Sequence, residues 1–383
     1  MKIRSITSTA LSYRYDVLPR PLATGQSYKR DAVIVRVEAE DGTVGYGEAY
    51  HGKAPTSIVE LINSTLASLV VGEDSDNVEG IWNKVFRRQV RGAGMGAAAM
   101  AGLGGIDMAL WDLRGKILGL PVYKLLGGER RRFRAYAGGI RLGFQPPEEL
   151  VAEVAELRSK GFTAVKLRIG DTFENDIARV TAVRESVGDD FLILVDANLG
   201  YSYHDVYRAL PRLRELDVGW LEEPFGRTDL DSFAAIRRRG DVPIATGEHL
   251  FGVREFLPLL QAGGADIIQP DPSSGGGITE LKKIGDLAGL FNVAFAPHIT
   301  NTRINQSAVL HVLSAVPASY LYEADATDNL FSLRLATAPI DVEPDGYVGP
   351  PDAPGLGVTV DESLFDSFPV ISGSPHIQDQ PQD

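Results

Sequence analysis

The first third of the chain changes from a strand-like to a helical pattern of apolar residues. Residues 1–15 and 32–49 alternate between polar and apolar positions, and Asp41-Gly42 is placed as a hairpin turn within the second stretch. Residues 55–127 then carry apolar side chains at helical spacing, which fall on one stripe at Ile106, Leu110, Leu113 and Ile117. This pattern predicts an α+β domain over residues 1–128.

From about residue 132 the chain alternates between amphipathic helices and short apolar strands. The helix over 151–161 has Gly161 at its C-cap and leads into the strand 163–170, and later units repeat about every 25–30 residues. Apolar strands covered by helices are typical of a parallel sheet, and about eight such units close into a barrel. Residues 129–335 are therefore predicted to form an α/β barrel of the TIM type.

The residues after the barrel are expected to form a short C-terminal segment and a tail. Within 336–372 the stretch GLGVTVDESLF is predicted to form a further strand and helix, which we expect to pack back on the N-terminal domain. Residues 373–383 are polar and rich in proline and glutamine, so a flexible tail is predicted there.

Composition places the chain among soluble enzymes. Its 383 residues are 44% apolar and 23% charged, and they include no cysteine, which excludes disulfides, thiolate metal sites and thiol nucleophiles. The N-terminus lacks the apolar core of a signal peptide, and no apolar run reaches membrane-spanning length. We therefore expect a cytoplasmic protein without a membrane partner. A net charge of −13 argues against nucleic acid as a partner.

Ionisable or amide side chains recur at the ends of the predicted barrel strands. They are Lys166, Arg168, Asp196, Asn198, Glu222, Glu248, Asp271, His298 and Glu323. The C-terminal ends of barrel strands surround one mouth, and the active sites of such barrels lie there. We therefore expect these side chains to converge on a single site.

Three of these residues suggest a metal centre. Asp196, Glu222 and Glu248 follow one another at intervals of 26 residues, and three converging carboxylates need a cation. Oxygen ligands without histidine or cysteine favour Mg²⁺, with Mn²⁺ as an alternative. Glu223 competes with Glu222 for the third position, and strand register favours Glu222. The alternative for each acid alone is a turn former or a helix N-cap.

Two further pairs indicate proton chemistry. Asp271 and His298 end neighbouring strands, and a carboxylate beside an imidazole fixes its tautomer and raises its pKa. This suits an acid/base catalyst, although a bond that merely ties two strands together is the alternative. Lys166 and Arg168 stand two residues apart in one strand, so both face the same side.

The chain resembles the enolase superfamily, mandelate racemase-like subgroup. The resemblance rests on the ordered motifs VKLR, VDAN, WLEEP, TGE, QPD, APH and YEAD, and on the upstream GIDMALWDLRGK and PVYKLLGG. It implies a (β/α)₇β barrel beneath an N-terminal α+β capping domain, and a homo-oligomer. It also implies removal of the proton α to a carboxylate, with the enediolate held on Mg²⁺ bound by Asp196, Glu222 and Glu248.

The resemblance also assigns roles to the remaining site residues. His298, supported by Asp271, matches the base on one face of the substrate, and the Lys166 strand matches the base on the other. Glu323 matches a residue that hydrogen-bonds the substrate carboxylate, and Asn198 is a second candidate for substrate binding. The commoner motif of the subgroup is Lys-x-Lys with the second lysine as base, and this chain has Arg168 there.

Arginine at this position bears on the reaction. A guanidinium is effectively never deprotonated, so Arg168 is expected to be an electrostatic clamp or an ion-pair partner of a metal acid, and Lys166 a base or a second clamp. Racemisation needs a base on each face, whereas dehydration needs only one. Dehydration of an acid sugar to a 2-keto-3-deoxy acid is thus the first hypothesis, before a racemase or epimerase and a lactone cycloisomerase.

Loops of the N-terminal domain and two glycine-rich stretches are further candidates for ligand binding. Specificity is expected from residues 19–29 and 47–53. The stretch 91–105 resembles a dinucleotide loop only loosely, so close helix packing is the better explanation. Residues 269–277 have the composition of a phosphate loop but follow the sixth barrel strand, whereas such sites usually follow the seventh and eighth. A binding protein without catalysis is the non-enzymatic alternative.

Overall fold

The computed structural model describes residues 1–299 and 302–375. The predicted tail lies outside the described residues from 376 onward. Among the described helices, none is both long enough and apolar enough to cross a membrane.

The N-terminal sheet is an antiparallel meander of three strands. These are β1 (Ile3–Arg14), β2 (Lys29–Ala39) and β3 (Val44–Ala49), in the order β1-β2-β3. The predicted turn lies between β2 and β3, where Gly42 has a φ of 87° and the Asp41 carboxylate accepts a hydrogen bond from the Thr43 amide. The alternation of polar and apolar residues therefore predicted the hairpin correctly.

Helices cover one face of this sheet. They are α1 (Pro55–Glu60), α2 (Ala67–Val70), α3 (Val78–Val85), α4 (Gly96–Leu118) and α5 (Val122–Leu125), with π-helical turns at Leu61–Leu66 and Phe86–Val90. Helix α4 packs so closely on β2 and β3 that a Cβ on Gly105 would lie 2.8 Å from Val35 Cγ2 and 2.9 Å from Ala49 Cβ. Close packing thus explains the glycines at 102, 104 and 105, whereas Gly94 and Gly96 have positive φ angles and open space around them.

Eight parallel strands form the barrel. They are β4 (Phe133–Gly138), β5 (Ala164–Arg168), β6 (Leu192–Asp196), β7 (Val218–Glu222), β8 (Ile244–Thr246), β9 (Ile267–Ile268), β10 (Ala294–Phe295) and β11 (Tyr322–Asp325). Neighbours along the chain pair with each other, and β11 returns to pair with β4. The ring closes where Phe295 exchanges backbone hydrogen bonds with Ala318 and Tyr320, just before β11.

Helices connect the strands on the outside. They are α6 (Pro147–Ser159), α7 (Phe173–Val187), α8 (Tyr203–Glu215), α9 (Leu230–Arg237), α10 (Val253–Ala262), α11 (Pro272–Gly275), α12 (Gly277–Phe291) and α13 (Arg303–Leu313), before a π-helical turn at Phe331–Leu335. This is the predicted α/β architecture, a (β/α)₇β TIM-like barrel with an N-terminal α+β domain.

The barrel interior is built in layers. An apolar layer is formed by Tyr136, Ala164, Leu194, Trp220, Ala245, Ile267, Ala296 and Leu321. Side chains two residues apart on a strand point the same way. The next layer toward the strand C-termini therefore contains Lys166, Asp196, Glu222, Gln269, His298 and Glu323. The apolar layer thus lies beneath a polar layer that contains most of the candidate site residues.

The second half of the C-terminal segment contacts the N-terminal domain. It contains β12 (Ala336–Thr337), β13 (Tyr347–Val348), β14 (Thr359–Val360) and a 3₁₀ turn at Glu362–Ser367. The Leu356 amide donates to Asp112 (2.8 Å), Lys29 Nζ donates to the Ile371 carbonyl (2.5 Å), and Arg36 Nε pairs with Glu362 (2.9 Å). These contacts support the proposed division into capping domain (1–128), barrel (129–335), returning segment (336–372) and tail (373–383), which remains our prediction.

Candidate active site

Lys166 lies at the centre of the polar layer and contacts three carboxylates. Its side chain is fully buried, and Nζ lies 2.5 Å from Glu222 Oε1, 3.2 Å from Glu323 Oε1 and 3.7 Å from Asp196 Oδ2. Burial alone would lower the pKa of Lys166, but the three carboxylates outweigh it and raise the pKa above its ordinary value. The ammonium group is therefore charged in this arrangement.

Arg168 lies one layer closer to the mouth and pairs with Asp196. Its guanidinium also donates to the Gly139 carbonyl and, at 3.2 Å, to Asn198 Oδ1. Asn198 has a φ of 42°, and its amide groups donate to both carboxylate oxygens of Asp196. Arg168 therefore forms the ion pair with a candidate metal ligand that was one of its two expected roles, and Asn198 belongs to the same cluster.

The structure separates Glu222 from Glu223. Glu222 points into the barrel, where Lys166, Trp220 and Gln269 contact its carboxylate. Glu223 has a φ of 42° and instead accepts hydrogen bonds from Thr246 Oγ1 (2.7 Å) and the Gly247 amide (2.8 Å). Strand register therefore places Glu222, rather than Glu223, beside the other candidate ligands.

Glu248 and His298 meet at the other side of the mouth. His298 Nε2 lies 3.3 Å from Glu248 Oε2, and its Nδ1 lies 2.8 Å from Asp271 Oδ2. Burial lowers the pKa of His298, but Glu248, Asp271 and Glu323 raise it to about 10. The bare Glu248 carboxylate raises the pKa of His298, whereas a cation bound to Glu248 would lower it.

Asp271 is held in place on all sides. One carboxylate oxygen accepts hydrogen bonds from the Ser273 amide (2.7 Å), Ser273 Oγ (2.6 Å) and Asn305 Nδ2 (3.0 Å), and the other faces His298. These bonds cap α11, so the stretch 269–277, which has the composition of a phosphate loop, uses its backbone to hold Asp271. The imidazole orientation is thereby fixed.

Glu323 connects the two sides. One oxygen faces Lys166, and the other lies 3.4 Å from the Ile299 amide, next to His298. Burial raises the pKa of Glu323, but the neighbouring cations Lys166, His298 and Arg168 lower it to about 2. In this geometry the carboxylate is ionised, so it accepts hydrogen bonds and donates none.

The expected spacing of the three metal acids needs one correction. Asp196 and Glu222 are register partners on adjacent strands, but β8 ends at Thr246 and Glu248 lies in the following turn. Among the described residues, no three His, Asp or Glu side chains stand close enough together to hold a metal ion as they are. Each acid is instead paired with its own cationic group: Asp196 with Arg168, Glu222 with Lys166, and Glu248 with His298.

The charge of the site nevertheless fits a divalent cation. The site brings together five carboxylates, of Asp196, Glu222, Glu248, Asp271 and Glu323, and three cationic groups, of Lys166, Arg168 and His298. The excess of two equals the charge of Mg²⁺, and oxygen donors are what that ion prefers.

Sequence reasoning missed two groups near the site. Gln269 follows Ile267 by two residues and so lies in the polar layer, a position that the strand period could have revealed. His249, directly after Glu248, is partly exposed with Nδ1 3.3 Å from Glu223 Oε2. Burial lowers the pKa of His249, but Glu223 and Glu248 raise it to about 9.

Parts of the two predicted specificity loops have other structural roles. Gly47 belongs to strand β3, which ends at Ala49, so this loop begins only at Tyr50. Gly47 packs closely on α4, because a Cβ on it would lie 2.7 Å from the Ala109 amide nitrogen. The Tyr50 amide donates to the Ser273 carbonyl (3.0 Å), and burial together with nearby Glu248 and Asp271 raises the pKa of its hydroxyl to about 12. Arg20, in contrast, pairs with Glu149 at the surface.

Comparison with known proteins agrees with this arrangement. Residues 5–127 match the model of the mandelate racemase / muconate lactonizing enzyme N-terminal domain, and residues 149–364 match the enolase C-terminal domain-like model. The chain belongs to the enolase superfamily, in its mandelate racemase-like subgroup. The resemblance inferred from the motifs is therefore confirmed.

Similar members of the superfamily include cycloisomerases and dehydratases. The D-galactarolactone cycloisomerase of Agrobacterium fabrum is 34% identical, over 96% of this chain and 99% of its own. The arabinonate dehydratase of Saccharolobus solfataricus is also 34% identical, over 88% and 90%.

Solved structures of superfamily members match nearly the whole chain. A member from Polaromonas sp. JS666 is 43% identical with a TM-score of 0.95, covering 99% of this chain and 100% of that one. A racemase from Streptomyces coelicolor A3(2) with bound magnesium is 30% identical with a TM-score of 0.88, covering 96% and 100%.

Proposed function

We propose that this protein is a Mg²⁺-dependent lyase that dehydrates an acid sugar to a 2-keto-3-deoxy acid, with Mn²⁺ as a possible substitute ion. One observation carries the proposal. The mouth holds one imidazole supported by a carboxylate, His298 with Asp271, while the position of a second base is occupied by Arg168 in an ion pair with Asp196. The site is thus equipped for proton removal from one face.

His298 is the proposed base and acid. It removes the proton α to the substrate carboxylate, and the β C–O bond then breaks as the C=C bond of the enol forms. The same imidazole returns the proton to the departing hydroxyl, which leaves as water, and the enol rearranges to the ketone. Asp271 keeps the imidazole in the tautomer that this exchange requires.

Lys166 and Arg168 are the proposed electrostatic support. Removing an α-proton from a carboxylate creates an enediolate with two negative charges, and fixed cations stabilise it most where water is excluded. Asp196, Glu222 and Glu248 would hold the cation, which would supply further positive charge to stabilise the enediolate. Asn198 and Glu323 are the proposed contacts of the substrate carboxylate, Glu323 acting through the Lys166 ammonium in the present geometry.

A lactone cycloisomerase is the second candidate. The cycloisomerase relative matches 96% of this chain and 99% of its own length, and opening or closing a lactone by β-elimination also requires only one base. Racemisation is less well supported, because Lys166 is held by three carboxylates and Arg168 does not give up its proton. We further propose a cytoplasmic homo-oligomer that acts on a small carboxylate.

Proton NMR in D₂O with Mg²⁺ tests the proposal. Aldonic acids, aldaric acids and their lactones are supplied one at a time, and α-proton exchange and product signals are followed together. The expected result is a 2-keto-3-deoxy product from at least one acid. His298→Asn should remove it, whereas His204→Asn, at an exposed position of α8, should not.

Other products would decide against dehydration. Interconversion of a lactone without loss of water would establish the cycloisomerase. Inversion at C2 without loss of water would contradict both readings and show that a second face is open to proton transfer.

A further inference from the structure

Gln269 occupies a position in the polar layer that no part of the proposed mechanism uses. It follows the short strand β9, is 1% exposed, and reaches across β8 to Glu222 on β7, where its Nε2 lies 2.8 Å from Glu222 Oε2. Strand β8 lies between β7 and β9, and its Ala245 belongs to the apolar layer beneath the two side chains.

The two oxygens of Glu222 have different environments. Oε2 accepts hydrogen bonds from two neutral donors, Gln269 Nε2 and Trp220 Nε1 (3.0 Å), both on buried side chains. Oε1 faces the Lys166 ammonium at 2.5 Å. Neutral donors fix one oxygen without cancelling the charge of the carboxylate, so the free charge is directed toward Oε1 and the barrel centre.

We propose that Gln269 is a positioning residue for cation binding. Together with Trp220 it holds Glu222 in the one orientation that presents Oε1 to an ion shared with Asp196 and Glu248. Hydrogen bonds to the outer oxygen of a metal-binding group orient it and increase its affinity. The inference rests on the proposed function, because it requires that Glu222 is a ligand of the divalent cation.

The amide oxygen of Gln269 supports the same role. The carboxylate can only accept, so the amide must present its NH₂ group to Glu222 and its oxygen elsewhere. Within the described residues this buried oxygen has no hydrogen-bond partner. Buried polar atoms of this kind usually have one, and a water bound to the cation or a substrate hydroxyl would provide the donor.

Calorimetric titration of the whole chain with Mg²⁺ alone, and then with Mn²⁺, tests the proposal without any substrate. Gln269→Met keeps the volume of the side chain and removes the amide. It should weaken cation binding by about tenfold or more, the range typical of lost support for a metal ligand. Trp220→Phe, which removes only the indole N–H, should weaken it in the same direction.

A matched control separates this role from a general effect of removing a buried amide. Gln306 is also buried, on α13, with its Nε2 3.4 Å from Ser332 Oγ. Gln306→Met should bind the cation within about twofold of the wild type. Melting temperatures in EDTA should show Gln269→Met folded, and if it does not fold, Gln269→Asn replaces it, since the shorter amide cannot reach Glu222.

The outcomes are distinguishable. Wild-type affinity in the Gln269 variant, with a wild type that binds Mg²⁺, overturns the positioning role and leaves the proposed function standing. A wild type that binds neither Mg²⁺ nor Mn²⁺ overturns the proposed function itself. Weakened binding in the Gln269 and Trp220 variants but not in Gln306→Met is the result that supports the inference.

Discussion

Two cations that stand two residues apart have different partners in this site. Lys166 lies in the layer of Glu222 and Glu323 and is surrounded by their carboxylates, whereas Arg168 lies one layer higher and pairs with Asp196. The strand places both on one side, but the partners at each level decide what each can do. Neither arrangement leaves a free amine to act as a second base.

Arg168→Lys tests this directly by restoring the Lys-x-Lys pattern. An amine can lose its proton where a guanidinium cannot, so proton transfer on the second face becomes chemically accessible. We expect dehydration to fall about tenfold or more, since one fixed contact with developing charge is lost. Deuterium should now enter C2 with inverted configuration in the NMR assay.

Arg168→Met is the matched control. It removes the same charge without supplying an amine, so dehydration should fall without any inverted product. Inversion in the methionine variant, or its absence in the lysine variant with the fold intact, would contradict the assignment of Arg168 as a clamp.

At the scale of elements, the N-terminal domain supports the turn that carries Asp271. Helix α4 packs on this turn so closely that a Cβ on Gly104 would lie 2.6 Å from the Pro272 carbonyl oxygen. The Tyr50 amide donates to Ser273, and Thr302 donates to the buried carboxylate of Glu48 at the end of β3. The capping domain thus fixes the position of the His298–Asp271 pair from behind.

Gly104→Ala should therefore destabilise the protein by about 1–3 kcal/mol, because the methyl group meets backbone that cannot move aside cheaply. Urea unfolding measures this. Gly289→Ala in α12 is the control, since a Cβ there meets nothing within 4 Å. That change should be neutral or stabilising by up to about 1 kcal/mol, because alanine is the better helix former. Equal losses in the two variants would contradict the close packing.

Much of this arrangement could be predicted from the sequence, and the reason lies in the strand period. Lys166, Asp196, Glu222, His298 and Glu323 each follow a buried apolar residue by two positions, so their common direction was readable. Glu248 does not follow this period, because it stands three residues after Ala245 and β8 ends at Thr246. The expectation that all three metal acids end their strands in the same register was therefore wrong for Glu248.

The ion pairs between the cations and the carboxylates could not be predicted from the strand period. Lys166 on β5 contacts Glu222 on β7, across β6, and this choice of partner does not follow from the strand period. Gln269 of the motif QPD follows Ile267 of the apolar layer by two positions, so the strand period predicts that its side chain points into the barrel. In contrast, the contact of Gly104 with Pro272 depends on how two distant elements dock.

At the scale of the whole molecule, three parts of the chain meet around His311. This buried residue of α13 accepts a hydrogen bond from the Tyr123 amide of α5 (3.1 Å) and lies beside Leu356 of the C-terminal segment. Burial lowers the pKa of His311 from 6.5 to about 4. The folded state therefore keeps the imidazole neutral where the unfolded state would bind a proton.

The consequence is a loss of stability in acid. The contribution of His311 is fully present above pH 6.5 and declines as the pH falls toward 4, because only the unfolded chain takes up the proton in that window. His311→Asn keeps an acceptor for the Tyr123 amide and does not titrate. Between pH 7 and pH 5 the wild type should lose about 2 kcal/mol more unfolding free energy than this variant. Equal losses in urea titrations at the two pH values would contradict it.

The closure of β11 onto β4 has a consequence for synthesis of the chain. Until residues 322–325 are available, β4 and β10 remain open edges of a parallel sheet, and the three-stranded N-terminal sheet still lacks the segment that Lys29 binds at Ile371. Contacts this distant in sequence form slowly, and open edges invite pairing with other chains. Nascent chains that stop short of β11 are therefore the species that we expect to be most prone to aggregate.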